Sequence, residues 1–152
     1  MKIVGIIPAR YTSSRLPGKP LKDICSKPMI QHVYERSKKA SLLDEVIVAT
    51  DDQRIVDAVK NFGGEAVLTS SKHRSGTDRI VEVVKNLDCD IVVNIQGDEP
   101  LISPEIIDEI ANVLVNNKSV EMSTGCYQIF GDEMFNNLGV VKVVCDKNDD
   151  AL

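Results

Sequence analysis

KIVGIIPARYTSSRLPGKP, residues 2–20, changes character after its sixth residue. KIVGII (2–7) is a short, continuous, β-branched apolar run, the pattern of a strand covered on both faces in a parallel sheet. PARYTSSRLPGKP (8–20) is a loop with three prolines, one glycine, the hydroxyl residues Thr12, Ser13 and Ser14, and the cations Arg10, Arg15 and Lys19. The first 20 residues contain no acid and carry +4 with Lys2, which leaves −9 for the rest of a chain whose net charge is −5. A basic patch on an acidic protein points to a small anionic ligand rather than a polyanion.

The same alternation of apolar run and helical pattern continues outward from this stretch. Met29, Ile30, Val33 and Tyr34 recur at helical spacing, with Pro28 suited to the first helical position. EVIVAT (45–50) reads as a second buried strand. Thr50 and Gln53 have the spacing of a capping box before a helix carrying Ile55, Val56 and Val59, which Gly63 and Gly64 end. EAVLT (65–69) is a short strand, and Ser75 and Asp78 open a helix carrying Ile80, Val83 and Val84. DIVVNI (90–95) is the most apolar strand, and Ser103-Pro104 starts the helix of Ile106, Ile107, Ile110 and Leu114. MSTGCYQI (122–129) and VVKVVC (140–145) read as two more strands. The expectation is one α/β domain over 1–152 with a mainly parallel sheet and flanking helices. The polar turn DKNDD (146–150) runs into Ala151-Leu152, where another element should begin, so the domain reads as C-terminally incomplete.

Composition excludes several classes. A 43% hydrophobic share and 27% charged residues are ordinary for a soluble domain. No apolar run spans a bilayer and no signal-peptide pattern is present, so a cytoplasmic protein without membrane partners is expected. Acidic balance, no Trp and 4% aromatics argue against nucleic acid as partner. Cys25, Cys89, Cys126 and Cys145 form no CxxC pair, and only His32 and His73 could join them. Reduced cysteines, mostly in the core, are expected rather than a zinc or disulfide framework.

In parallel α/β sheets, ligands bind outside the carboxyl ends of the strands. That rule singles out PARYTSSRLPGKP, TDD (50–52) and QGDEP (96–100). The first is neither a Walker A loop, since Pro20 follows Gly18-Lys19 and Ser13 stands where the first Gly should be, nor a GxGxxG turn. Pro8 is placed to end the donor ladder of the strand and turn the chain. Arg10 and Arg15 offer planar forks for phosphate and Lys19 a mobile charge. A solvated loop whose cations meet distant acids fits the composition as well; the position at a strand end favours ligand binding. Asp98 serves either as a magnesium ligand or as a turn residue between Gly97 and Pro100. Asp51 and Asp52 read as an acidic helix start favourable to the dipole. His73 and His32 read as structural or surface residues.

IPARYTSSRLPGKPL, KPMIQHVYERS, VIVATDD, HRSGTDRI, VNIQGDEPLI and VVKVV, in this order, resemble the 3-deoxy-manno-octulosonate cytidylyltransferase (CMP-Kdo synthetase) family. The resemblance implies a Rossmann-like nucleotidyltransferase fold. It also implies transfer of CMP from CTP to the acidic sugar Kdo with magnesium, giving CMP-Kdo for lipopolysaccharide synthesis and pyrophosphate. It implies Arg10, Arg15 and Lys19 on the triphosphate, and Asp98 on the metal. It puts Pro8, Ala9, Ser75, Gly76, Arg79 and Gln96 on the substrates, with Ser75 also a helix cap, and makes Lys142 a secondary contact. Arg74 departs from the family's Gln and is given no role. Family members continue past the point where this chain ends and form homodimers. The chain is therefore expected to be a fragment, inactive alone, without the second metal aspartate and much of the sugar pocket. Alternatives are a cytidylyltransferase for 8-amino-Kdo or a sialic-acid-like sugar, and a non-catalytic nucleotide-binding protein of the same fold.

Overall fold

The structure is a computed structural model and describes residues 1–152 except 13–15, 148–149 and 152. In chain order its elements are β1 (Ile3–Ala9), a 3₁₀ turn (Lys19–Leu21), β2 (Asp23–Ile24), β3 (Lys27–Pro28), α1 (Met29–Ser37), β4 (Glu45–Thr50), α2 (Gln53–Asn61), β5 (Glu65–Leu68), α3 (Gly76–Val84), β6 (Ile91–Asn94), α4 (Pro104–Asn116) and α5 (Asp132–Asn136). The main sheet has the order β5-β4-β1-β6, all parallel. A small hairpin, β2–β3, turns through Cys25 and Ser26, both at positive φ.

β1 is central and buried on both faces, which is why its sequence does not alternate. Ile3, Ile7 and Ala9 pack with residues of α1, α2 and α4 on one face. Val4 and Ile6 pack with Ile80 and Val83 of α3 on the other. The α/β layering inferred from the sequence is therefore the observed one.

From β1 the chain moves outward to β4 and β5, then returns to place β6 on the opposite side of β1. The strand order thus reverses between β1 and β6, and a crevice opens outside their carboxyl ends. Asp98, just past β6, is brought next to the loop after β1.

Local details differ from the sequence reading for physical reasons. Pro8 does not end β1, which runs on to Ala9. The Ile6 carbonyl accepts from Ile95 N–H at 2.9 Å, and Pro8, two residues on, faces the same side. The β6 ladder covers only Ile3–Ile6 of β1, so the missing proline N–H falls where no ladder partner stands. Pro28 is the N-cap of α1 rather than its first residue. α2 is capped by Asp52, which accepts from Arg54 N–H at 3.0 Å, and not by Thr50.

The largest difference lies at residues 122–129 and 140–145, which form no strands beyond a single Cys145–Ala151 bridge. Met122, Tyr127, Val141 and Val144 are exposed. Among the described residues no strand lies along the outer edge of β6. An apolar pattern without a ladder partner cannot satisfy its backbone as a strand. The cysteines do not lie mostly in the core, where the sequence reading put them: Cys25, Cys126 and Cys145 are exposed and Cys89 is half-buried.

Candidate active site

A cavity of about 470 Å³ occupies the crevice. Pro8, Ala9 and Arg10 from the end of β1, Lys19 from the 3₁₀ turn, Gly76 and Arg79 from α3, and Gln96 and Asp98 from the loop after β6 all line it. Eight of the residues singled out in the sequence therefore converge on one space. Thr12, Pro20, Met29 and Gly97 also line it. Of these, Met29 and Pro20 carry no signal in the sequence, because an apolar wall residue looks like any core residue. Arg15 lies outside the described residues.

Lys19 and Asp98 meet across the cavity, Nζ to Oδ2 2.6 Å, with side chains 35% and 51% exposed. The lysine thus stands beside the one carboxylate that lines this wall among the described residues. The loop that delivers Lys19 is closed at its base by Gly18 N–H donating to the Tyr11 carbonyl at 2.8 Å. Gly18 has φ 68, the left-handed conformation a glycine adopts without penalty.

Gly97 is required for a different reason. A Cβ there would stand 2.8 Å from the Pro8 carbonyl oxygen, a backbone atom that cannot swing away. Gly97→Ala is expected to push the loop after β6 off β1 and to cost about 1–3 kcal/mol, as overpacking does. Urea unfolding measures the loss; an unchanged midpoint would show that the loop after β6 and the end of β1 are not in this contact.

Ser75, unlike Gly76 beside it, is not among the residues that line the cavity; it is the N-cap of α3. Its hydroxyl accepts from Asp78 N–H at 3.0 Å, while Asp78 accepts from Ser75 N–H at 3.1 Å, a complete capping box. The Ser75 hydroxyl and amide together hold the Asp78 carboxyl below its ordinary range. The helix start is pressed on the strand: a Cβ on Gly76 would lie 3.2 Å from Pro8 Cγ. The positive end of the α3 dipole therefore adjoins the cavity. The preceding loop is tied back by Glu82, which accepts from Ser70 N–H at 3.0 Å and pairs with His73. The His73 ring, then the Ser70 amide, lower the Glu82 carboxyl. His73 is thus structural, as is His32, whose Nε2 lies 2.8 Å from the Ile24 carbonyl. Lys142 donates to the Asn137 carbonyl and is not in the cavity wall.

Arg79 is fully buried in the floor. Its Nη2 donates to Asp51 Oδ2 at 2.9 Å, and its Nη1 to Thr69 Oγ1 and to the Ser70 carbonyl at 3.3 Å. Thr69 in turn donates to the Thr50 carbonyl through both N–H (2.7 Å) and hydroxyl (2.9 Å). Nε has no hydrogen-bond partner among the described residues. Asp51, read from its place before α2 as an acid favourable to the helix dipole, is also the counter-ion of this buried arginine.

A cation-bearing loop, a carboxylate and a helix N-terminus around one cavity are the kinds of group that polyphosphate chemistry calls for. The cytidylyltransferase family model matches residues 4–152. This chain belongs to the cytidylyltransferase family. It is 55% identical over 152 residues to a 3-deoxy-manno-octulosonate cytidylyltransferase of Geobacter metallireducens, covering 100% of this chain and 60% of that protein. It is 54% identical to the protein of the same name from Syntrophus aciditrophicus, covering 99% of this chain and 62% of the relative. Among solved structures, a CMP:2-keto-3-deoxy-manno-octonic acid synthetase complexed with CTP superposes with a TM-score of 0.97 at 48% identity, over 100% of this chain and 63% of that one. The resemblance read from the sequence and the Rossmann-like nucleotidyltransferase fold it implied are both borne out. This cytidylyltransferase-family chain spans about 60% of the length of the curated relatives it matches.

Proposed function

We propose that the chain is the CTP-binding part of an enzyme that transfers CMP from CTP to 3-deoxy-manno-octulosonate. The sugar hydroxyl oxygen attacks the α-phosphorus and gives up its proton to solvent, the bond from that phosphorus to the oxygen bridging to the β-phosphate breaks, and pyrophosphate leaves. The observation that carries this reading is the convergence of Arg10, Lys19 and Asp98 on one cavity at the reversal of strand order. The likeness to a synthetase complexed with CTP supports it.

In this reading Arg10 and Lys19, with Arg15 from the same loop, hold the triphosphate and balance the charge on the leaving pyrophosphate. Such transfers depend on positioning and charge neutralisation more than on covalent help. Backbone at Pro8, Ala9 and Gly76 lies against the nucleoside, Gln96 reaches ribose or sugar, and Arg79 shapes the floor. Ser75 keeps the helix start in place for the base.

Asp98 fits magnesium that arrives with the nucleotide. It is a half-exposed carboxylate opening into the cavity, and no cluster of three or more His, Cys, Asp or Glu suited to a metal occurs among the described residues. Magnesium accepts one or two carboxylates, completing its shell with phosphate oxygens and water. When bound it supplies charge neutralisation on the phosphates.

The sugar is proposed as Kdo because the relatives named above carry that name. A related acidic sugar is the second reading, since the relatives extend beyond the length matched here. A cytoplasmic homodimer is proposed for the longer protein; no helix among the described residues is long and apolar enough to cross a membrane. Calorimetry with CTP, ATP and GTP tests the base assignment. CTP is expected to bind at least about tenfold more tightly, the value of one well-made base-edge hydrogen bond. Equal affinities would overturn the cytidine pocket.

A further inference from the structure

Arg10 and Lys19 stand near the two ends of one loop, and each is next to a residue of one small cluster. Arg10 precedes Tyr11 and Lys19 follows Gly18, and Gly18 N–H donates to the Tyr11 carbonyl at 2.8 Å. The Tyr11 ring lies against the Gly18 backbone: a Cβ on Gly18 would stand 3.2 Å from the ring. Arg54 of α2 then covers the ring, with its guanidinium carbon 3.4 Å from the ring centroid. Arg54 is itself held flat by Asp52, Nε to Oδ1 2.8 Å and Nη2 to Oδ2 2.6 Å. The same Asp52 caps α2, so the stack is anchored to a helix end.

This cluster needs an explanation that its chemistry alone does not supply. The Arg54 side chain is 60% exposed and contributes nothing to the cavity wall. An exposed ion pair adds little to folding and costs side-chain entropy to hold. The arginine charge is also matched by Asp52, so it adds little field for an anion. What the cluster does is fix the two points where the loop leaves and rejoins the body of the protein.

We propose that Arg54, oriented by Asp52, is a positioning residue for the phosphate-binding cations: its stack on Tyr11 sets the separation of Arg10 and Lys19. The proposal rests on the reading of the cavity as a triphosphate site. It assigns a role in ligand binding to TDD and the start of α2, outside the cavity.

The test is calorimetric binding of inorganic tripolyphosphate, which has no base to recognise, alongside thermal unfolding of each variant. Arg54→Ala is expected to weaken binding about fivefold, the scale of one exposed cation–π stack. Arg54→Lys should weaken it similarly, because lysine keeps the charge but not the flat, doubly bonded fork. Tyr11→Leu should act like Arg54→Ala and Tyr11→Phe should restore binding. In a Lys19→Ala background the Arg54→Ala effect should shrink, as coupled residues require. Unfolding midpoints should stay unchanged.

Binding by Arg54→Lys at the unmodified level, with loss only in Arg54→Ala, would mean that charge alone acts and would overturn the clamp. So would equal binding by all variants, or a fall in affinity that tracks a fall in midpoint. Failure of the unmodified chain to bind tripolyphosphate would overturn the triphosphate reading itself and the clamp with it.

Discussion

Asp51→Ala is expected to remove about 3–5 kcal/mol of folding stability, the cost of leaving a buried charge without its partner. Arg79 has no exposed surface and the Asp51 side chain is 10% exposed, so water cannot replace the lost carboxylate. Among the described residues the guanidinium Nε already lacks a hydrogen-bond partner, so a further loss is poorly tolerated. Against a typical total of about 5–15 kcal/mol, the change removes about a fifth or more of the stability of the domain. Urea unfolding measures it. The double change Asp51→Leu with Arg79→Met should recover much of the loss, because a packed apolar pair avoids the desolvation penalty. A loss under about 1 kcal/mol in Asp51→Ala would place the pair in the class of exposed salt bridges and overturn this account. Because Arg79 also forms the cavity floor, the double variant is expected to stay folded yet lose selectivity for CTP.

This ion pair also marks the limit of what the sequence makes legible. Asp51 stands before a helix, where an acid has an adequate local reason to be. Its true partner is 28 residues away and follows a different strand. Local pattern explains such a residue only in part, because burial is a property of the packed structure. The strands β1, β4 and β6 were legible because burial on both faces leaves an unbroken apolar run, and the capping box at Ser75 because it lies within four residues. The site was legible through the rule that ligands sit at strand ends, which joins Arg10 to Asp98 without any contact being known. The pattern at 122–129 and 140–145 reads as strand because alternation records a preference for a pleated surface and says nothing about whether a neighbouring edge is present. Tyr11 and Arg54 carry no sequence signal as a pair, since a stack between a loop and a helix has no fixed spacing.

Asp98→Asn is expected to change polyphosphate binding in opposite directions with and without magnesium. The Lys19 ammonium stands 2.6 Å from this carboxylate, so part of the cation's field is cancelled before any ligand enters. Asparagine keeps the shape and removes the charge. Without magnesium, an incoming triphosphate meets one negative charge fewer and a less screened lysine. Binding should tighten about tenfold, the scale of a unit charge a few ångströms away at high effective dielectric. With magnesium the sign reverses. The amide is a poor ligand for a hard cation that favours carboxylates, so the gain in affinity that magnesium gives the unmodified chain should disappear. Folding should be unaffected, since Asp98 is half-exposed and its ion pair is of the weak, solvated kind. Calorimetry with CTP at fixed ionic strength, in magnesium and in chelator, separates the two arms. Retention of the full magnesium gain by Asp98→Asn would remove Asp98 from the metal. A weakened metal-free affinity would mean that Lys19 and Asp98 act as a unit to hold the loop, and not as opposed charges awaiting a ligand. The crossing of the two arms is the outcome that only a shared polyphosphate and metal site produces.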